Sequence, residues 1–207
     1  MRRAEAPTSA IDVSRETWER MDAYVALLEK WTVRINLISR SSVPLIWERH
    51  IADSCQLAEF ISSDKDLWVD LGSGGGLPGL VVAIIAREKV PGFRMKLVES
   101  DQRKATFLRT VVRELDLNAT VEATRIEELA PQETDIISAR ALARLPQLLE
   151  YVERHRRSTG KALFLKGISF EKEVEESRKT WHFDLEIRPS LTDPQAALLV
   201  IGELSRV

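Results

Sequence analysis

The chain has a single cysteine, Cys55, in 207 residues. An internal disulfide is therefore impossible and a cysteine cluster for zinc or an iron–sulfur centre is excluded, so the expected setting is a reducing cytoplasm, with no metal site. Long apolar runs are also missing. Nothing approaches the roughly 20 residues that span a bilayer, and Met1-Arg-Arg-Ala-Glu-Ala has no apolar signal core, so no membrane partner is expected. An excess of positive charge is absent too: Lys and Arg number 30 against 32 Asp and Glu, for a net charge of −2. A general electrostatic grip on nucleic acid is thus excluded, and any RNA contact must come from local clusters. The five tryptophans, Trp18, Trp31, Trp47, Trp68 and Trp181, are too dispersed for a base-stacking platform and read as packing residues. What is present is 44% hydrophobic and 30% charged residues, the balance of one globular core. There is no internal repeat and no linker that would mark a second domain.

The most informative stretch is Trp68-Val-Asp70-Leu-Gly72-Ser-Gly74-Gly-Gly76-Leu77-Pro78-Gly79. An apolar run enters it as a strand and another leaves it as a helix. Glycines at alternate positions let main-chain N–H groups at a helix N-terminus lie against a ligand. Read from Gly74, the spacing Gly74-x-Gly76-x-x-Gly79 also fits a dinucleotide fingerprint, so the loop alone leaves the cofactor open. Two acidic residues add to it. Asp70 is placed to order the loop, and Glu99, at the end of the run Met95–Val98, is placed to accept both hydroxyls of a ribose.

Before the loop, Ser14 is a plausible N-cap for a helix with Trp18, Met21, Val25 and Leu28 at helical spacing. Residues 1 to about 13 read as a frayed arm. Ser41-Ser42-Val-Pro44 interrupts, and a second helix follows through Trp47, Ile51, Ser54, Ala58 and Ile61. These elements form a helical cap on the edge or top of a sheet. After the loop, short apolar runs alternate with helical segments, which is the pattern of a parallel sheet. Strands are expected near 67–71, 94–99, 119–124, 134–139, 161–166, 182–188 and 196–203, with helices between the first five. The last two runs are joined by Pro189, Asp193 and Pro194 with no room for a helix, so they pair antiparallel.

From about residue 15 to the end, the chain resembles the RsmG (GidB) family of bacterial small-subunit ribosomal RNA guanine-N7 methyltransferases. The resemblance rests on Arg34-Ile-Asn36-Leu, Arg49-His50-Ile-Ala-Asp53-Ser54, the glycine loop with Leu77-Pro78-Gly79, Glu99-Ser-Asp101-Gln-Arg103-Lys104, Arg125-Ile126-Glu127-Glu128, Ala139-Arg140-Ala141 and Leu165-Lys166-Gly167. It implies an α/β fold: a seven-stranded Rossmann-like class I methyltransferase sheet with an N-terminal helical cap. The expected unit is one domain over 1–207, with the cap at 14–63 and the core at 64–207. The resemblance implies S-adenosylmethionine as cofactor, held by Gly72, Leu77, Ile126, Glu127 and Arg140, with Gly74 and Glu99 added from the loop reading. It differs from the family pattern at Ala139, where Ser commonly precedes the arginine, and at Cys55.

Arg140 and Lys166, after the fourth and fifth strands, are candidates for orienting a substrate; their plainer readings are an ion pair and a surface lysine. Asn36, Arg49, His50 and Lys166 are the RNA-binding candidates. Arg49 and His50 point about 100° apart on a helix, so one touches RNA while the other packs inward, and His50 suits a buried histidine. Arg154-His-Arg-Arg157, with Lys161, is the densest basic cluster, either a phosphate grip or a solvated helix end.

The fourth strand is followed by no Asp/Asn-Pro-Pro-aromatic motif of exocyclic-amine methyltransferases, and no cysteine stands near a strand end for covalent attack on a base. An aromatic nitrogen such as guanine N7 fits both absences, because its lone pair carries no proton and no general base is required. The partner implied is small-subunit ribosomal RNA or a ribosomal particle, acted on by a monomer. The competing functions are a small-molecule methyltransferase, a nicotinamide-dependent oxidoreductase, against which stands the lack of a Tyr-x-x-x-Lys donor, and a nucleotide-binding scaffold without turnover.

Overall fold

The computed structural model describes residues 11–62 and 67–207. Its centre is a seven-stranded sheet of β1 (Leu67–Leu71), β2 (Arg94–Val98), β3 (Ala119–Glu122), β4 (Thr134–Arg140), β5 (Arg156–Lys166), β6 (Trp181–Pro189) and β7 (Ala197–Arg206). The spatial order is β3-β2-β1-β4-β5-β7-β6. Strands β1 to β5 pair in parallel, while β7 runs antiparallel between β5 and β6. The chain order reverses between β1 and β4, and a crevice opens there beyond the carboxyl ends of the strands.

The helices are α1 (Arg15–Thr32), the three-residue α2 (Asp53–Cys55), α3 (Gly79–Lys89), α4 (Gln102–Glu114), α5 (Leu145–His155) and α6 (Phe170–Ser177). Ser14 caps α1 by accepting from Thr17 N at 3.2 Å, and its hydroxyl donates to Glu88 at 2.7 Å, which ties the cap to the end of α3. Met21, Val25 and Leu28 are buried as their spacing requires, and Trp18 meets Trp47 at 6.5 Å between ring centroids. The remaining rings also pack, Trp31 on Phe107 and Trp68 on Phe93, and Arg206 lies over Trp181.

Several expectations need correction. The second cap helix is a relay of a 3-10 turn (Arg40–Leu45), a π turn (Ile46–Ala52), α2 and a further 3-10 turn (Gln56–Phe60). No helix joins β3 to β4. A single turn at 125–129 sends Ile126 and Leu129 into the core, and Pro131 lacks the N–H to continue it. Strand β5 begins at Arg156, so the basic run straddles the end of α5 and the start of β5. Its members are engaged: Arg154 donates to Leu129 O, His155 is buried against Ile126 O, Arg156 donates to Gly160 O and Gly202 O, and Arg157 pairs with Asp135. That cluster lies where β4 and β5 begin, at the end of the sheet opposite the crevice. It is neither a phosphate grip at the site nor a freely solvated helix end. The N-terminal arm falls outside the described residues up to residue 10, while Ile11 and Val13 pack against the core. The expected cap–core boundary at 63/64 also lies outside the described residues.

Two apolar clusters flank the sheet. One gathers α1, the cap turns, α3 and α4 around Trp68 and Leu97; the other gathers α5 and the β6–β7 face around Val69 and Phe164. The cap is therefore seated on the helical layer of α3 and α4, and its core is continuous with that of the sheet.

Candidate active site

Strand β1 delivers the glycine loop to the crevice. Gly72, Gly74 and Gly76 have φ of +63°, +54° and +87°, a region that a Cβ disfavours. At Gly79 a Cβ would stand 2.5 Å from Leu97 Cδ2 and 2.7 Å from Asp70 Oδ2, so the start of α3 is pressed onto β1 and β2.

Asp70 organises this packing from a fully buried position. Its Oδ2 accepts from Gly79 N at 3.3 Å and its Oδ1 from the Ser138 hydroxyl at 2.6 Å, while Ser138 accepts from Trp68 Nε1 at 2.8 Å. Register places Asp70 beside Ser138, so the chain of bonds crosses from β1 to β4. Burial pushes the Asp70 carboxyl up to about 6, against the hydrogen bonds that favour its charge.

Glu99, one residue beyond β2, is 8% exposed. Its Oε2 accepts from Gly74 N at 2.9 Å and its Oε1 from Asp101 N at 2.8 Å. A carboxylate has about four lone-pair sites, so two remain for a vicinal diol. Asp101 in turn caps α4 through Arg103 N and Lys104 N.

Ile126 is buried at the turn after β3, and Glu127 accepts from the Tyr151 hydroxyl. That bond holds the Glu127 carboxyl below its usual range; burial, and then Glu127 itself, push Tyr151 up to about 12. Both tyrosines of the chain serve this site, because the buried Tyr24 hydroxyl of α1 donates to Gly75 O at 2.6 Å. The sequence reading passed over both. Tyr24 lies three residues after Met21, on the apolar face, and that spacing was the available signal.

Arg140 closes β4 beside Ala141, which sits at φ +51°. Its Nη2 donates to Arg49 O at 2.8 Å, and its Nη1 stands 4.0 Å from Asp53 Oδ2. Arg140 is thus held by the cap, with Ala139 taking no part through its side chain. His50 is half-buried with Nε2 3.0 Å from the Ser42 hydroxyl. Burial, then the Arg140 and Arg49 charges, push His50 down to about 3, so it is neutral at neutral pH.

These elements enclose a cavity of about 780 Å³, within the size range of small-molecule sites. Every cofactor candidate, Gly72, Gly74, Leu77, Glu99, Ile126, Glu127 and Arg140, lines it, as do Arg49 and His50. His50 packs inward and Arg49 is exposed, yet both border the same space. Asn36 is exposed next to Leu37 of the lining. Lys166 was expected to face this cleft and does not. Helix α6 covers the end of β5, and Lys166 Nζ bonds to Glu173 Oε2 at 2.7 Å and Ala143 O at 2.9 Å, 11% exposed. Among the described residues no group of three His, Cys, Asp or Glu side chains is arranged to hold a metal ion.

The family model described as GidB, rRNA small subunit methyltransferase G, matches residues 17–197. The chain belongs to that family. A Cereibacter sphaeroides protein named Ribosomal RNA small subunit methyltransferase G is 51% identical over 98% of each chain. Proteins of the same name from Paracoccus denitrificans, 50% identical over 94% of this chain and 98% of theirs, and Ruegeria pomeroyi, 48% identical over 96% and 97%, are also similar. Solved structures support the fold. M. jannaschii TYW2, solved in complex with AdoMet, aligns with TM-score 0.58 at 14% identity, covering 85% of this chain and 80% of its own. A TehB-like SAM-dependent methyltransferase from Corynebacterium glutamicum aligns with TM-score 0.59 at 13% identity, covering 86% and 98%. The sheet of this family member is thus the Rossmann-like methyltransferase sheet.

Proposed function

We propose that this chain transfers the methyl group of S-adenosylmethionine to N7 of a guanine in small-subunit (16S) ribosomal RNA. The observation that carries the reading is convergence: residues from the ends of β1, β2, β3 and β4 line one cavity at the reversal of strand order, inside a chain of the methyltransferase G family. Family membership supports the RNA substrate, and the cavity supports the cofactor. When bound, S-adenosylmethionine supplies an electrophilic methyl carbon on a sulfonium.

The residues present fit that group. Glu99 keeps two acceptor sites for the ribose diol, Ile126 offers an apolar face for adenine, and Glu127 with the nearby main chain suits its amino group. Gly72 and Gly74 expose backbone without a Cβ between it and the ligand. Arg140 orients, held by the Arg49 carbonyl.

No side chain is asked for a proton. The N7 lone pair forms the new N–C bond as the S–C bond breaks, and the purine gains the charge that the sulfur loses. Alignment and water exclusion then account for the chemistry. The neutral His50 adds no cation near the purine. In duplex RNA the deep major groove hides N7, so the target is a loop, bulge or flipped base. Arg49, exposed in the cavity lining, and Asn36, exposed one residue before Leu37 of that lining, are the side chains that meet RNA in this reading. In this reading the enzyme is a cytoplasmic monomer, one domain with its cap on the core; among the described residues no helix is long and apolar enough to cross a membrane.

Mass mapping of small-subunit rRNA from cells lacking the gene tests the function. A guanine-N7 methyl group should disappear, and return when the gene is restored. An unchanged methylation pattern would remove the proposal.

A further inference from the structure

On the far side of Arg140 lies a second hollow of about 220 Å³ that shares Arg49, Arg140 and Ala141 with the cofactor cavity. Its other walls come from Asp53 of α2, Lys166 at the end of β5, Glu173 of α6, and Ser190 and Thr192 of the β6–β7 connection. It is smaller than the roughly 300 Å³ at which whole-ligand pockets begin, and suits one ring system. Gly167 and Ser190 of its lining are followed by Ile168 and Leu191, 71% and 52% exposed, which offer apolar surface at its rim.

Two polar atoms of its lining residues make no hydrogen bond among the described residues. Arg140 Nη1 is buried with no hydrogen-bond acceptor. Asp53 Oδ2, at 4.0 Å, forms a loose ion pair with it but is too far for a hydrogen bond, and accepts none from the described residues. The other oxygen, Asp53 Oδ1, is engaged by the Ser190 hydroxyl at 2.8 Å and Gln56 Nε2 at 2.9 Å, which fix the carboxylate. A donor and an acceptor are thus held side by side beside the cofactor cavity as a loose ion pair, with no direct hydrogen bond between them.

We infer that this hollow receives the target base, with Arg140 Nη1 donating to guanine O6 and Asp53 Oδ2 accepting from guanine N1–H. The inference rests on the function proposed above. Guanine presents that acceptor–donor order on its Watson–Crick edge, and adenine presents the reverse, N6–H₂ beside the N1 acceptor. Extruded bases are commonly read on this edge. The reading also leaves the N7 lone pair, on the neighbouring Hoogsteen edge, without a hydrogen-bond donor and so free for the methyl carbon.

Asp53→Asn tests it without changing shape. Ser190 and Gln56 both donate to the Oδ1 position, so the amide oxygen stays there and the NH₂ replaces Oδ2, turning the acceptor into a donor. Methyl transfer from radiolabelled S-adenosylmethionine is measured with wild type and variant, on unmethylated small subunits carrying guanine or adenine at the target position. Wild type should prefer guanine. Asp53→Asn should lower kcat/KM for the guanine subunits roughly 10- to 100-fold without lowering the adenine rate, and its Kd for S-adenosylmethionine should stay within about twofold, which also shows that it is folded. A guanine rate within twofold of wild type, an equal loss on both subunits, equal use of the two bases by wild type, or a parallel loss of cofactor affinity would each overturn the assignment. If wild type transfers no methyl group to guanine subunits at all, it is the proposed function that fails.

Discussion

Replacing Lys166 with Met measures how far its ion pair beneath α6 braces the fold. Lys166 is 11% exposed and its partner Glu173 6%, with 2.7 Å between Nζ and Oε2. Glu173 also accepts from Leu145 N at 2.7 Å and the Ser169 hydroxyl at 2.6 Å, so one carboxylate joins β5, α5 and α6. Burial pushes that carboxyl up, but the bonds from Lys166, Ser169 and Leu145 outweigh it and hold the pKa below its usual value. Met retains the length of the lysine stem but removes the cation, leaving a buried charge with two neutral donors. Breaking such a pair from one side costs about 3–5 kcal/mol. For a chain of this length each kcal/mol is roughly 2–4 °C, so the melting temperature should fall by about 6–20 °C. The double variant Lys166→Met with Glu173→Gln should recover most of that loss, because no buried charge is left unpaired. Thermal and urea unfolding of Lys166→Met, Glu173→Gln and the double variant read the cycle, and calorimetry with S-adenosylmethionine should show an affinity close to wild type in each, since Lys166 lies outside the cofactor cavity. A Lys166→Met protein as stable as wild type would refute this reasoning.

Other outcomes follow from the same geometry. Glu99→Ala should weaken S-adenosylmethionine by about 2–4 kcal/mol, roughly 30- to 1,000-fold in Kd by calorimetry, and Arg140→Ala should weaken it as well; unaltered affinity in both removes them from the site. Gly79→Ala should lower stability by about 1–3 kcal/mol in urea, because its Cβ meets Leu97 and Asp70 at 2.5 and 2.7 Å. Asp70 holds its proton up to about 6 in the fold, above the unfolded carboxyl, so its contribution is complete below pH 4 and is lost as pH rises through 6. The stability of wild type relative to Asp70→Asn should therefore decline by roughly 2–2.5 kcal/mol between pH 4 and 7, and a flat difference across that window would contradict the burial of this group.

How much of this was legible in the chain depends on how local each signal is. The glycine loop, Asp70 and Glu99 announce themselves because a strand–loop–helix turn is encoded within a dozen residues, and apolar runs of strand length place all seven strands to within a few positions. Ser14 was readable as a cap for the same reason. Composition excluded disulfides and a general basic surface, and motif order carried the family resemblance. Other features depend on partners distant in sequence. The fate of Lys166 turned on Glu173 arriving with α6, and the basic run at 154–157 was engaged by carbonyls and a carboxylate that only the packed sheet brings near. Tyr24 looked like any core aromatic until α1 docked over Gly75. The missing helix between β3 and β4 reflects burial of Ile126 and Leu129, which overrides local propensity. Hydrophobic periodicity and turn chemistry are written along the chain, so the sequence by itself determined the succession of strands and the ligand end of the sheet. Which charges stay free to meet a ligand depends on what each side chain finds across the fold, and that only the tertiary structure decided.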